Sequence, residues 1–223
     1  MKQHDNIPQE RLWNANYLRT WVANFMIFFS FMLLTPLMPS YLSEVFGADK
    51  QTIGIVLSGY TLTALMIRSL SGFLVDSFPR RIVLMTSYFL FALCFGGYLV
   101  AGSLLLFAIV RTLHGAPFGA TTVANSTVAI DVLPSSRRAE GIGYYGLSNN
   151  IATAISPTVA LLLFDRFQSY DMLFWVALLT SLLGLWSTSQ VKMRERDIQR
   201  DHRPLSLDRF ILIKGWREGI AMI

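Results

Sequence analysis

No charged side chain occurs between Arg19 and Glu44, nor between Arg81 and Arg111, and apolar tracts of similar length recur along the chain. A helix rises about 1.5 Å per residue, so about 20 apolar residues cross the roughly 30 Å hydrocarbon core of a bilayer. Inside lipid, backbone N–H and C=O groups must be satisfied within the spanning element, which leaves helices or closed barrels. The tracts are much longer than the alternating ten-residue segments of a barrel, so the expectation is an all-α membrane protein. Composition agrees, with 53% hydrophobic and 15% charged residues against about 25% charged in a soluble domain.

The charge positions divide the chain. Residues 1–19 form a polar N-terminal segment expected in the cytoplasm. Transmembrane spans are expected over 20–43, 51–75, 82–100, 104–130, 141–164 and 172–191, with the Ala101-Gly102-Ser103 break splitting a tract too long for one helix. The bundle therefore covers 20–191 with six helices. Residues 192–208, charged and holding Pro204, read as a central cytoplasmic loop. Residues 209–223 open another apolar pattern, interrupted by Lys214, Arg217 and Glu218, that is too short to cross; they read as the truncated start of a seventh helix. With the N-terminus inside, thirteen Lys and Arg fall on the cytoplasmic side and two, Lys50 and Arg166, outside. That asymmetry predicts a multi-pass protein of the cytoplasmic (inner) membrane with a cytoplasmic N-terminus.

Several function classes drop out. A net charge of +5 could suit nucleic acid, but most of the basic residues sit at span ends, so no nucleic-acid partner is expected. The single cysteine, Cys94, excludes an intramolecular disulfide and a cysteine-based zinc cluster. No phosphate-binding loop is present, and neither cofactor nor metal is expected. A six-span intramembrane protease would need His114 and Ser148 as a pair, yet no acid supports the histidine. A six-span assembly or sensor subunit without transport is the other alternative.

The segments Leu74-Val-Asp-Ser-Phe78 and Leu163-Phe-Asp-Arg-Phe167 close the second and fifth spans, three spans apart and so on opposite sides of the membrane. Such an echo fits a 3+3 inverted repeat. Between the second and third spans stands Gly72-Phe-Leu-Val-Asp76-Ser-Phe-Pro79-Arg80-Arg81, and within the fourth Arg111-Thr-Leu-His-Gly115-Ala-Pro-Phe-Gly119. With six spans and a basic loop after the sixth, these segments resemble the signature motifs of the major facilitator superfamily, in its drug- and sugar-efflux type. The resemblance implies the N-terminal six-helix half of a twelve-helix secondary transporter, not an enzyme. It implies proton-coupled efflux of a small organic solute, with a C-terminal six-helix half as partner. It also departs in two places: Pro79 stands where the family usually has Gly, and the fifth span carries Ser156-Pro157 in place of a Gly-Pro pair.

Candidate residues follow from charge and depth. Asp76, Arg80 and Arg81 each have the wrong sign for their helix end, so Asp76 and Asp131 are expected to pair with the arginines. With Gly72 they form a cytoplasmic gate motif, and the resemblance implies that Asp76 latches onto the other half. Arg111 lies deep in the fourth span, where a charge costs about 2.5–3.5 kcal/mol, and is expected to face a wet cavity, a polar partner or a counter-charge. His114 stands three residues on, on the same helical face. Asn24 and Asn149 complete the expected solute or proton pathway. Arg68 is expected to snorkel toward the cytoplasm. All fourteen acids lie at or beyond span ends, so His114 is the embedded side chain whose reference pKa lies near neutrality, and burial beside Arg111 is expected to make it harder to protonate.

Overall fold

The computed structural model describes residues 11–193. The expected loop beyond Met193 and the expected seventh-helix start lie outside the described residues. Within them the chain forms α1 (Ala15–Leu34), α2 (Met38–Phe46), α3 (Lys50–Ser77), α4 (Arg80–Val100), α5 (Leu104–Val132), a 3-10 turn (Ser135–Arg137), α6 (Arg138–Phe167) and α7 (Tyr170–Ser189). All but α2 are long and apolar enough to cross a membrane, which gives six spans.

Local chemistry sets the boundaries. Asn14 accepts the Tyr17 N–H at 2.9 Å, so α1 starts at Ala15, five residues before the span expected from charge alone. The tract expected to be helical to residue 43 breaks after Leu34, because Pro36 has no N–H for the carbonyl one turn back. The chain restarts as the nine-residue α2, with a proline in its first turn. Gly47, at φ 64°, ends α2 in the left-handed region, and the N–H groups of Gly47 and Ala48 close on Ser43 and Leu42. Asp49 then caps α3 by accepting the Thr52 N–H, and hydrogen bonding from the Thr52 side chain and then its backbone holds the Asp49 carboxyl below the usual range.

The spans pair as two interlocked triplets. α1 packs on α6 and α7, α5 packs on α3 and α4, and the triplets meet through α1 against α5 and α4 against α7. Exchanging the first three spans with the last three leaves this scheme unchanged, as an inverted repeat requires. The closest approach is between α3 and α5, which run parallel. A Cβ at Gly119 would lie 2.6 Å from the Ala64 carbonyl oxygen, and one at Gly115 would overlap the Tyr60 carbonyl. Small residues let helix backbones touch in this way. The pairs Tyr60–Gly115 and Ala64–Gly119 fix one register along the whole seam. Gly54, Gly143 and Gly146 would carry a Cβ without meeting anything.

Gly115→Ala must push α3 and α5 apart and should destabilise the fold by about 1–3 kcal/mol. Gly143→Ala, with open space around it, should be neutral or slightly stabilising. Thermal unfolding of the two variants in detergent, followed by circular dichroism, checks the contrast.

Candidate functional site

Two polar groups sit at different depths. The first joins the ends of α3, α4 and α5. Arg80 forms an ion pair with Asp131 at the end of α5, and Asp76 stands 4.0 Å from the same guanidinium. The parallel register brings the two C-terminal acids level, so one arginine faces both. Asp76 is largely exposed and Gly72 has open space around it. Arg81 departs from the expected cluster: its guanidinium donates to the carbonyls of Ser189 at 3.0 Å and Val191 at 3.3 Å, at the C-terminal end of α7. Arg19 donates to the adjacent Gln190 carbonyl at 2.8 Å. Both cations thus satisfy carbonyls that a helix end leaves without partners.

The second group is buried. Arg111 is 3% exposed and His114 fully enclosed. The Arg111 guanidinium carbon lies 4.4 Å from the Tyr60 ring centre and 5.4 Å from that of Phe31. Nη1 of Arg111 donates to the Tyr98 hydroxyl at 3.3 Å, and that hydroxyl is 2.8 Å from His114 Nδ1. Nε2 of His114 is buried without a hydrogen-bond partner. Arg111 therefore meets the expected polar partner in Tyr98. Its surroundings are an aromatic cage, and no carboxylate pairs with it among the described residues.

Tyr98 was missed by sequence reasoning. The α4–α5 turn at residues 101–103 could have found it, since Tyr98 and Phe107 stand opposite across that hairpin with ring centres 5.0 Å apart. Helical side chains lean toward their own N-terminus, so Arg111 and Tyr98 lean toward each other. The same rule corrects Arg68. Its guanidinium lies 5.8 Å from the Phe118 ring centre, one turn toward the start of α3 and away from the Asp76 end.

Asn24 and Asn149 do not come together. Asn24 donates to Ser148 Oγ at 2.8 Å and lies 3.4 Å from the Tyr145 carbonyl, whereas half-buried Asn149 accepts from Thr153. Asn24 belongs to a seam in which Tyr17 donates to the Gly141 carbonyl and Trp21 to that of Tyr144. These three α1 donors stitch the helix to α6. Asn125 joins the same level, donating to Tyr145 Oη at 2.8 Å and to the Thr20 carbonyl at 3.2 Å.

The sequence model of the Major Facilitator Superfamily matches residues 20–220. The chain belongs to that superfamily. It is 27% identical over 180 residues to a Na(+), Li(+), K(+)/H(+) antiporter of Planococcus maritimus, covering 78% of this chain and 41% of that protein. It is 22% identical over 135 residues to the quinolone resistance protein NorA of Staphylococcus aureus, covering 60% and 34%. Its fold matches the human organic anion transporter MFSD10 with a TM-score of 0.68 at 16% identity, over 80% of this chain and 47% of that one. The nucleoside transporter NupG matches with a TM-score of 0.70 at 14% identity, over 93% and 51%. The matched region spans less than half the length of the curated relatives. This superfamily member is a multi-pass membrane protein with a six-helix half-fold.

Arg80→Gln and Asp131→Asn should each cost no more than about 1 kcal/mol, as partly exposed pairs do. A double-mutant cycle should show that the two losses are not additive. Arg81→Gln should instead speed hydrogen exchange at the end of α7, which mass spectrometry of peptides covering residues 184–193 would detect.

Proposed function

We propose that this chain forms one half of a secondary transporter that carries a small organic solute across the cytoplasmic membrane. The observation that carries the reading is Arg111, a guanidinium enclosed at span depth without an acid partner among the described residues. Holding it there costs about 2.5–3.5 kcal/mol, an outlay that packing alone does not call for. The relatives supply the coupling: one is named a cation/proton antiporter and another a resistance protein, which favours proton-coupled efflux. In this reading Arg111, His114, Asn24 and Asn149 border the solute and proton pathway, and His114 is its titratable member.

A second six-helix half completes the path in this proposal, in keeping with the share of the relatives that is matched. The exposed strip Ser58, Thr61, Leu65, Arg68, Gly72 and Asp76 runs along one face of α3. Its polar and small residues suit a wet or protein-covered side better than lipid. Gly72, Asp76, Arg80, Arg81 and Asp131 act here as the cytoplasmic gate, with Asp76 free enough to latch onto the opposing half. In this reading that end and the N-terminus face the cytoplasm, which the basic loops favour.

Two experiments test the proposal. Cysteines at Gln51 and Gln168 should react with impermeant reagents from outside, and cysteines at Ser135 and Ala139 should not; reversed labelling removes the orientation and the gate with it. In the complete transporter, Arg111→Ala should lower transport by about tenfold or more, the worth of one buried charged hydrogen bond. Asp76→Asn should slow transport while insertion stays intact. His114→Gln separates the two roles of the histidine: a changed rate profile across about pH 5.5 to 8 keeps it in the proton path, and an unchanged profile assigns it a structural role.

A further inference from the structure

Arg68 lies about 13 Å from the end of α3 at the helical rise, and its guanidinium leans further toward mid-span. The seam register sets its depth: Gly119 abuts Ala64, so Phe118, on which Arg68 rests, stands near the middle of both helices. Arg68 is exposed and makes no ion pair among the described residues. A bare guanidinium at that depth cannot face hydrocarbon without the cost already met at Arg111, and it is too deep to meet a lipid headgroup.

The two arginines share one aromatic patch. Phe118 stands 4.9 Å from Phe31 and 5.7 Å from Phe28, ring centre to centre. Phe31 stacks on Tyr60 at 4.6 Å with the planes 10° apart, and the Arg111 guanidinium lies against both rings, 4.4 Å from the Tyr60 centre and 5.4 Å from that of Phe31. Phe28 and Phe31 are half-buried and both pack on Phe118, the ring on which Arg68 rests. Beneath them, Arg111 Nε and the Tyr60 hydroxyl are buried without partners. The patch thus combines an accessible fork of donors, flat apolar walls and a second positive charge fixed underneath. No acid of the described spans opposes that charge.

We infer that this patch, on α1, α3 and α5, is the solute subsite and that it takes an organic anion with a flat apolar body. Arg68 binds the carboxylate or similar group through its planar donors, and Phe28 and Phe31 pack on the body. Phe118 is a positioning residue that holds the guanidinium at mid-span. Arg111 supplies field from below without touching the solute. The inference rests on the transporter reading above, and it names the substrate class.

The test uses the complete protein in proteoliposomes, with naphthoate as probe and naphthamide and naphthylmethylammonium as neutral and cationic isosteres. Naphthoate should bind about tenfold or more tightly than either isostere, the worth of a charge-assisted hydrogen bond. Arg68→Gln should abolish that preference, and Arg68→Lys should restore only part of it. Phe118→Leu should weaken naphthoate binding with less effect on the isosteres. Because Arg68 is exposed, Arg68→Gln should fold normally, which circular dichroism checks. Equal binding of the three probes, as expected if an acid of the second half neutralises the arginines, overturns the inference. So does an Arg68→Gln variant that keeps the preference. Gradient-driven movement of a cationic dye without anion preference would leave the transporter reading standing and remove the anion subsite. Selective naphthoate binding without any translocation would do the reverse.

Discussion

The backbone contact between α3 and α5 fixes more of this molecule than any other interaction. Gly115 and Gly119 let the carbonyls of Tyr60 and Ala64 approach so closely that the two helices can adopt only one register. That register brings Asp76 level with Asp131 around Arg80, sets Tyr60 beneath Arg111, and places Phe118 within reach of Arg68. Three charged groups at three depths thus inherit their partners from two missing side chains. In lipid, where helices gain little from hydrophobic burial against each other, such steric fit decides pairing.

Much of the fold was legible because charge is expensive in a bilayer. The gaps between charged clusters gave six spans, and the expected wrong-sign residues at the ends of α3 and α4 did find compensating partners. Facing was less legible. A lipid-exposed helix side is as apolar as a packed one, so periodicity does not tell Asn24, which meets Ser148, from Asn149, which does not. The break at Pro36 was hidden for a related reason: the apolar run continues through it. Arg81 was grouped with Arg80 by sequence adjacency, although successive helical residues point about 100° apart. Arg68 was misread because its stem was expected to follow the nearer water rather than the direction in which helical side chains lean.

The two halves of the internal repeat use different chemistry at equivalent seams. α3 and α5 meet backbone to backbone, while α1 and α6 are joined by Tyr17, Trp21 and Asn24 donating to or near carbonyls of the partner helix. The first seam excludes side chains and the second depends on them. A shared architecture therefore does not require a shared set of contacts, and sequence similarity between the two triplets can be as slight as one five-residue echo.

The end of α7 is gripped by Arg19 of α1 and Arg81 of α4, and Asn16 bonds to the backbone of Lys192 just beyond. Tension applied to the chain after that point is therefore not borne by α7 alone. It divides among α1, α4 and α7, because the hydrogen bonds at this point tie all three together.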